Sequence, residues 1–167
     1  HKHDRHVKAM LPGQWSYSID KRDLSAKLEL HADSNIIFHK SRAFSEHGLI
    51  TVVWNGLTAQ FTNSINGRFR VSTLSTSEAL VEIDSLQCSV DPVLGDPDVV
   101  LPRINGLSQW EICKHFESSF EQAYTMQIHE IDEFAMEASI VNHNENEVDE
   151  QLRFTKLNSK REPTDLE

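Results

Sequence analysis

The sequence predicts a mainly β protein: an antiparallel barrel or strongly curled meander of about eight strands, with one helix inserted before the last three. Three observations carry that expectation. Short runs rich in β-branched and aromatic residues alternate apolar with polar positions, the period of a half-buried strand. Turn signals punctuate those runs at short intervals. A single stretch, "SQWEICKHFESSFEQAY", changes to three- and four-residue apolar spacing, which is one face of a helix.

Taken in order, Gly13-Gln-Trp15 follows Pro12 and opens the ordered part. In "LSAKLELHAD", Leu24, Ala26, Leu28 and Leu30 alternate with polar residues and predict a strand. Asp33-Ser-Asn35 predicts a turn, "IIFHKSRAF" the next strand, and His47-Gly48 a turn into "LITVVWNGLTAQFT". Asn66-Gly67 predicts a tight hairpin, because both central residues of a type I′ turn need φ > 0. "RFRVSTL" and "EALVEIDSLQCSV" follow, and in the second Leu86, Cys88 and Val90 share a face with Leu80. Prolines and glycines in "DPVLGDPDVVLPRING" predict a long loop. In the helix, Trp110, Cys113, Phe116, Phe120 and Tyr124 form the apolar face, and Ser108 with Glu111 supplies a capping box. "MQIHEI", "EFAMEASIVN" and "EQLRFTKL" are the closing strands. The expected organisation is a flexible N-terminal segment 1–10, a single β domain 11–157 and a polar C-terminal tail 158–167.

Composition bounds the function. A chain of 167 residues, 38% hydrophobic and 25% charged, is long enough for one globular core. A formal net charge of -10 opposes nucleic acid as a partner, since phosphate binding needs a clustered basic surface. No apolar run approaches a membrane-spanning length. The chain opens with "HKHDRHVKAM" rather than an initiator Met, so a processed or truncated protein is expected, with a signal or membrane anchor upstream.

Chemical motifs are sparse. His1, His3 and His6 have spacing that can hold a transition metal, but a terminal segment lacks the surrounding groups that orient ligands. "NHNENEVDE" alternates oxygen ligands, yet Glu147 and Arg153 stand where a calcium loop needs Gly and Glu. His31, His39, His115 and His129 have no nucleophile or acid at a recognised spacing, so no enzyme and no cofactor is expected. Cys88 lies on the inward phase of a strand and Cys113 on the apolar face of the helix. In an exported domain they could form a disulfide pinning helix to sheet; the alternative is a pair of buried thiols. Trp15, Phe38, Phe44, Trp54 and Phe69 are the inward aromatic candidates, and in an eight-stranded barrel such residues fill the core or line a pocket.

The early Gly13-Gln-Trp15 entering a β meander resembles lipocalins and lipocalin-like domains. The succession of Gly13-Gln-Trp15, the pair around Asp33-Ser-Asn35, Gly67-Arg-Phe69-Arg-Val71 leading to "ALVEI", the helix, and "FAMEASIVNHNENEVDEQLRF" resembles a narrower group. That group comprises the ToxS-like and VtrC-like periplasmic partners of membrane-bound transcriptional regulators. Phe69 stands where that group is expected to have Trp. The resemblance implies a non-enzymatic periplasmic protein that pairs with and stabilises the regulator's periplasmic domain. It also implies a partner-completed barrel that senses bile-acid-like or fatty amphipathic ligands, and membrane attachment through an upstream anchor. Trp15, Phe38, Trp54, Phe69, Phe116 and Phe120 are the expected ligand walls. The alternative is a stand-alone lipocalin-like carrier whose barrel closes by itself.

Overall fold

The computed structural model describes residues 2–73, 78–96, 124–141 and 150–157. A helix α1 (Lys2–Met10) leads into strands β1 (Gly13–Asp23), β2 (Leu28–Phe38), β3 (Ala43–Trp54), β4 (Leu57–Thr73) and β5 (Ala79–Leu94). Strands β6 (Tyr124–Ile131), β7 (Ala135–Val141) and β8 (Glu150–Leu157) follow among the described residues. Each strand pairs antiparallel with the next and β8 returns to β1, giving a closed, lipocalin-like barrel. The expected fold class and strand number are thus observed. The expected 108–124 helix lies outside the described residues, except that Tyr124 opens β6.

Alternation along each strand sends one set of side chains into the barrel, as the two-residue period requires. On β2 these are Leu30, Ala32, Ser34, Ile36 and Phe38; on β3, Phe44, Glu46, Ile50 and Val52. On β4 the buried set is Ala59, Phe61, Asn63, Ile65, Phe69 and Val71. Fully burying an aromatic or branched aliphatic side chain stabilises by roughly 1.5–3 kcal/mol, so this interior lining is the main source of stability.

The wall is uneven. β1 to β5 pair along nearly their full lengths. β5 meets β6 only through residues 79–83 and 124–128, and β8 meets β1 only through residues 155–157 and 14–16. Above that short seam the inward side chains of Tyr17 and Phe154 pack together, ring centroids 4.9 Å apart.

Several expected turns are strand interior. Asp33-Ser-Asn35 lies within β2, and His47-Gly48 within β3. The alternation of Ser34 with Ile36, and of Gly48 with Ile50, continues unbroken through both, and tertiary pairing overrides the local preference. Leu24 and Ala26 belong to the β1–β2 turn, with Leu24 80% exposed, and the strand begins at Leu28. Asn66-Gly67 is no hairpin either. β4 runs straight through it, with a register irregularity against β5 between Asn66 and Arg68. A Cβ at Gly67 would lie 2.6 Å from the Asp84 carbonyl oxygen, so a close backbone approach selects this glycine. The Asn-Gly hairpin is instead Asn55-Gly56, with φ of 49° and 81°.

On β5, Ser85 has φ 53° and switches the phase. Ala79, Val81 and Ile83 are buried before it, and Leu86, Cys88 and Val90 are half-buried after it. Leu80 is therefore out of phase with the buried residues around it. β5 also extends through Asp91 and Pro92, which the sequence assigned to the loop.

The segment expected to be flexible contains α1, which covers one end of the barrel. Its Val7 is fully buried, and Leu11 just after it is 1% exposed. His6 Nε2 lies 2.9 Å from the Ile131 carbonyl oxygen, tying the helix to the end of β6.

Candidate functional site in the barrel interior

The floor of the barrel explains Gly13-Gln-Trp15. Trp15 is fully buried and its Nε1–H donates to the Leu11 carbonyl at 2.8 Å. Lys156, from β8, donates to the carbonyls of Met10 and Pro12 at 2.8 and 2.7 Å and places its ammonium 4.6 Å from the Trp15 ring centroid. Partial burial lowers the Lys156 pKa from its usual value. The cation ties the helix exit, the first strand and the last strand together, a contact worth on the order of 1 kcal/mol for the cation–π part alone. Phe38 packs beside it all as an aromatic hub, with ring centroids 5.4 Å from Phe44 and 5.1 Å from Phe69.

Above the floor the interior turns polar. Cross-strand register aligns Tyr17 with Ser34, Ser34 with Gly48, and Gly48 with Asn63. These residues form one inward row across four strands, with Glu46 two residues below Gly48. Tyr17 Oη–H donates to Glu46 Oε2 at 2.6 Å, and Glu46 is fully buried. Ser34 and Asn63 are 2% and 3% exposed. A Cβ at Gly48 would stand 2.4 Å from Asn63 Oδ1 and 2.6 Å from Ser34 Oγ, so the missing side chain is what admits both polar groups. Neither Asn63 Oδ1 nor Nδ2 has a hydrogen-bond partner among the described residues. Leaving a buried amide unsatisfied costs about 1–3 kcal/mol, and a water or a ligand polar group in the interior would recover it.

The opposite end of the barrel is apolar at its rim. Leu24, Leu57 and Leu94 are exposed at the ends of β1–β2, β4 and β5. Trp54 is half-buried at the end of β3. The expected ligand walls therefore divide. Trp15, Phe38 and Phe69 gather at the covered end, Trp54 sits at the rim, and Phe116 and Phe120 lie outside the described residues. Trp15 already spends its N–H and its ring face on the floor. Cys88 is half-buried on β5 and is not a free thiol, while Cys113 lies outside the described residues.

Sequence reading missed Glu46, Gly48, Asn63 and Lys156. The usable signal was a polar residue on the inward phase of an apolar strand, as in Phe44, Glu46, Gly48, Ile50 and in Phe61, Asn63, Ile65. Assigning a turn to His47-Gly48 hid it.

Among the histidines, His31 is exposed on β2, with Nε2 2.9 Å from Asp33 Oδ2 and Nδ1 paired to Asp20. Those two carboxylates, Asp20 foremost, raise its pKa. His129 Nε2 is 2.7 Å from Ser139 Oγ, and His39 Nε2 is 3.3 Å from Ser45 Oγ. Among the described residues no cluster of three or more His, Cys, Asp or Glu could hold a metal, and no helix is long and apolar enough to cross a membrane.

No protein-family model and no curated protein matches the chain. Fold and site alone therefore define its class: a closed eight-stranded antiparallel barrel, lipocalin-like, with a covered floor and a polar row inside.

Proposed function

We propose that this chain is a non-enzymatic binding protein that carries a small amphipathic ligand inside its own barrel. The observation that supports the reading best is the buried, unpartnered amide of Asn63 beside Gly48 and Ser34. An apolar interior with a few converging polar groups suits a hydrophobic body bearing a hydroxyl, carbonyl or carboxyl group. Closure by one chain's eight strands favours the stand-alone carrier over a barrel that needs a partner to complete it. The proposed compartment is extracytoplasmic, with a Cys88–Cys113 disulfide; that Cys88 is not a free thiol supports it.

Titration with deoxycholate, chosen as a bile-acid-like probe, tests the reading by calorimetry and amide shifts. Saturable one-to-one binding that shifts Ser34, Gly48 and Asn63 is expected, and Asn63→Leu should weaken it about tenfold. Binding unaffected by Asn63→Leu, or no binding, would overturn it.

The partner reading retains one supporting observation. Beyond the three-residue seam, residues 17–23 of β1 and 150–154 of β8 do not pair with each other. Strand edges of this kind accept an added strand. A stable one-to-one complex with the extracytoplasmic domain of a membrane-bound regulator would favour that second reading. A persistent monomer beside such a domain would dismiss it.

A further inference from the structure

We propose a second binding site, at the helix-covered end of the barrel and apart from the interior polar row, for the anionic headgroup of a single amphipathic molecule. A groove of about 400 Å³ runs between the end of α1 and the β2–β3 turn. Its cationic side is Lys8, Lys40 and Arg42, with His39 beside them; its apolar side is Leu11, Phe69 and Val71. Among the described residues no Asp or Glu lines it. That is notable on a chain with a net charge of -10.

Three of the described arginines find carboxylates: Arg22 with Glu29, Arg70 with Glu82, and Arg153 with Glu137. Lys40 and Arg42 are exposed and form no ion pair among the described residues. Arg42 moreover stands at φ 74°, a left-handed position that glycine or asparagine fills with less strain. The chain thus holds a guanidinium at the groove's edge at a conformational cost. Its main chain serves the fold independently, since the Arg42 carbonyl accepts the Phe69 N–H at 2.9 Å.

Charge and shape together select the ligand. A guanidinium and an ammonium on one side suit a carboxylate, sulfate or phosphate. The Phe69 and Val71 edges, each less than one-tenth exposed, offer a small apolar shelf to the first carbons of its tail. This site shares no residue with the interior row of Tyr17, Ser34, Gly48 and Asn63, so its failure and that of the carrier reading are separately visible.

The test uses laurate below its micellar concentration, with dodecanol and inorganic phosphate as the two half-ligands and phosphatidylglycerol vesicles as the bilayer source. Laurate should bind and shift the amides of Lys8, Lys40, Arg42 and Phe69, while each half-ligand binds at least about tenfold more weakly. Lys40→Glu with Arg42→Glu should abolish those shifts and leave the deoxycholate shifts of Ser34, Gly48 and Asn63 intact. Arg42→Gly relieves the strained φ while removing the guanidinium, so it should raise Tm and weaken laurate about tenfold. Laurate shifts confined to the interior row would overturn the proposal. So would phosphate binding as tightly as laurate, or vesicle binding without binding of monomeric laurate. Arg42→Gly with unchanged laurate affinity would overturn it too.

Discussion

At Asn63 the conflict between stability and function is most local. Its amide is buried with no partner among the described residues, in space that only Gly48 leaves open. Replacing it with Leu removes the desolvation penalty, so Asn63→Leu should stabilise the unliganded protein by about 1–2 kcal/mol in denaturant unfolding. The same change should cost ligand affinity, and a destabilised variant would show that the amide is satisfied in solution. Lys156→Met keeps the aliphatic stem over Trp15 but abandons the Met10 and Pro12 carbonyls, and should destabilise by about 2 kcal/mol. His31 allows a pH statement. Asp20 and Asp33 raise its folded pKa above 6.5, so its contribution is complete below the unfolded value and is lost as pH rises through the folded one. The ring is largely exposed, so solvent screens the pair and the stability change is small. The direct check is an NMR titration of His31, expected to lie above 6.5 and to fall towards it in Asp20→Asn.

Two identical dipeptides show what governs an element. Asn55-Gly56 and Asn66-Gly67 carry the same local signal, yet one reverses the chain and the other lies in a continuous strand. The choice rests on β4 pairing with β3 as far as Arg68, which rewards continuing the strand past Asn66. The glycines are then needed for different reasons. Gly56 supplies φ 81° in open space, whereas Gly67 clears the Asp84 carbonyl. Gly56→Ala should cost about 1 kcal/mol through backbone strain. Gly67→Ala should cost more, about 2–3 kcal/mol, because backbone must move. Equal costs in paired denaturation curves would contradict this assignment. α1 illustrates the same dependence: its charged, histidine-rich sequence reads as a solvated terminus, and only the barrel end gives Val7 somewhere to be buried.

For the whole molecule, closure is the decisive property and the seam its weakest part. Ladders between β2, β3 and β4 are long, whereas β1 and β8 share three residues. Native-state hydrogen exchange should find amides at the seam opening well below the global unfolding free energy, with those of β3 and β4 exchanging only through it. Uniform protection around the barrel would contradict this ordering. If the partner reading holds, the same seam is where protection should rise on complex formation.

Strand alternation, mainly-β character and a count of about eight strands were legible in the sequence, because a two-residue period is written locally and survives wherever one face is buried. The closing strands were legible for the same reason. Which polar pairs are turns was not legible: Asp33-Ser-Asn35, His47-Gly48 and Asn66-Gly67 all carry turn residues and all lie inside strands. Nor could local pattern bring Tyr17, Ser34, Gly48 and Asn63 into one row, or set Lys156 against Trp15. Those encounters join residues far apart in the chain, and they exist only once each strand's register is fixed by its neighbours and the barrel closes. Local alternation is enough to specify the strands and their mainly apolar inner faces; cross-strand register and barrel closure select which inward positions meet, and so where the polar site lies.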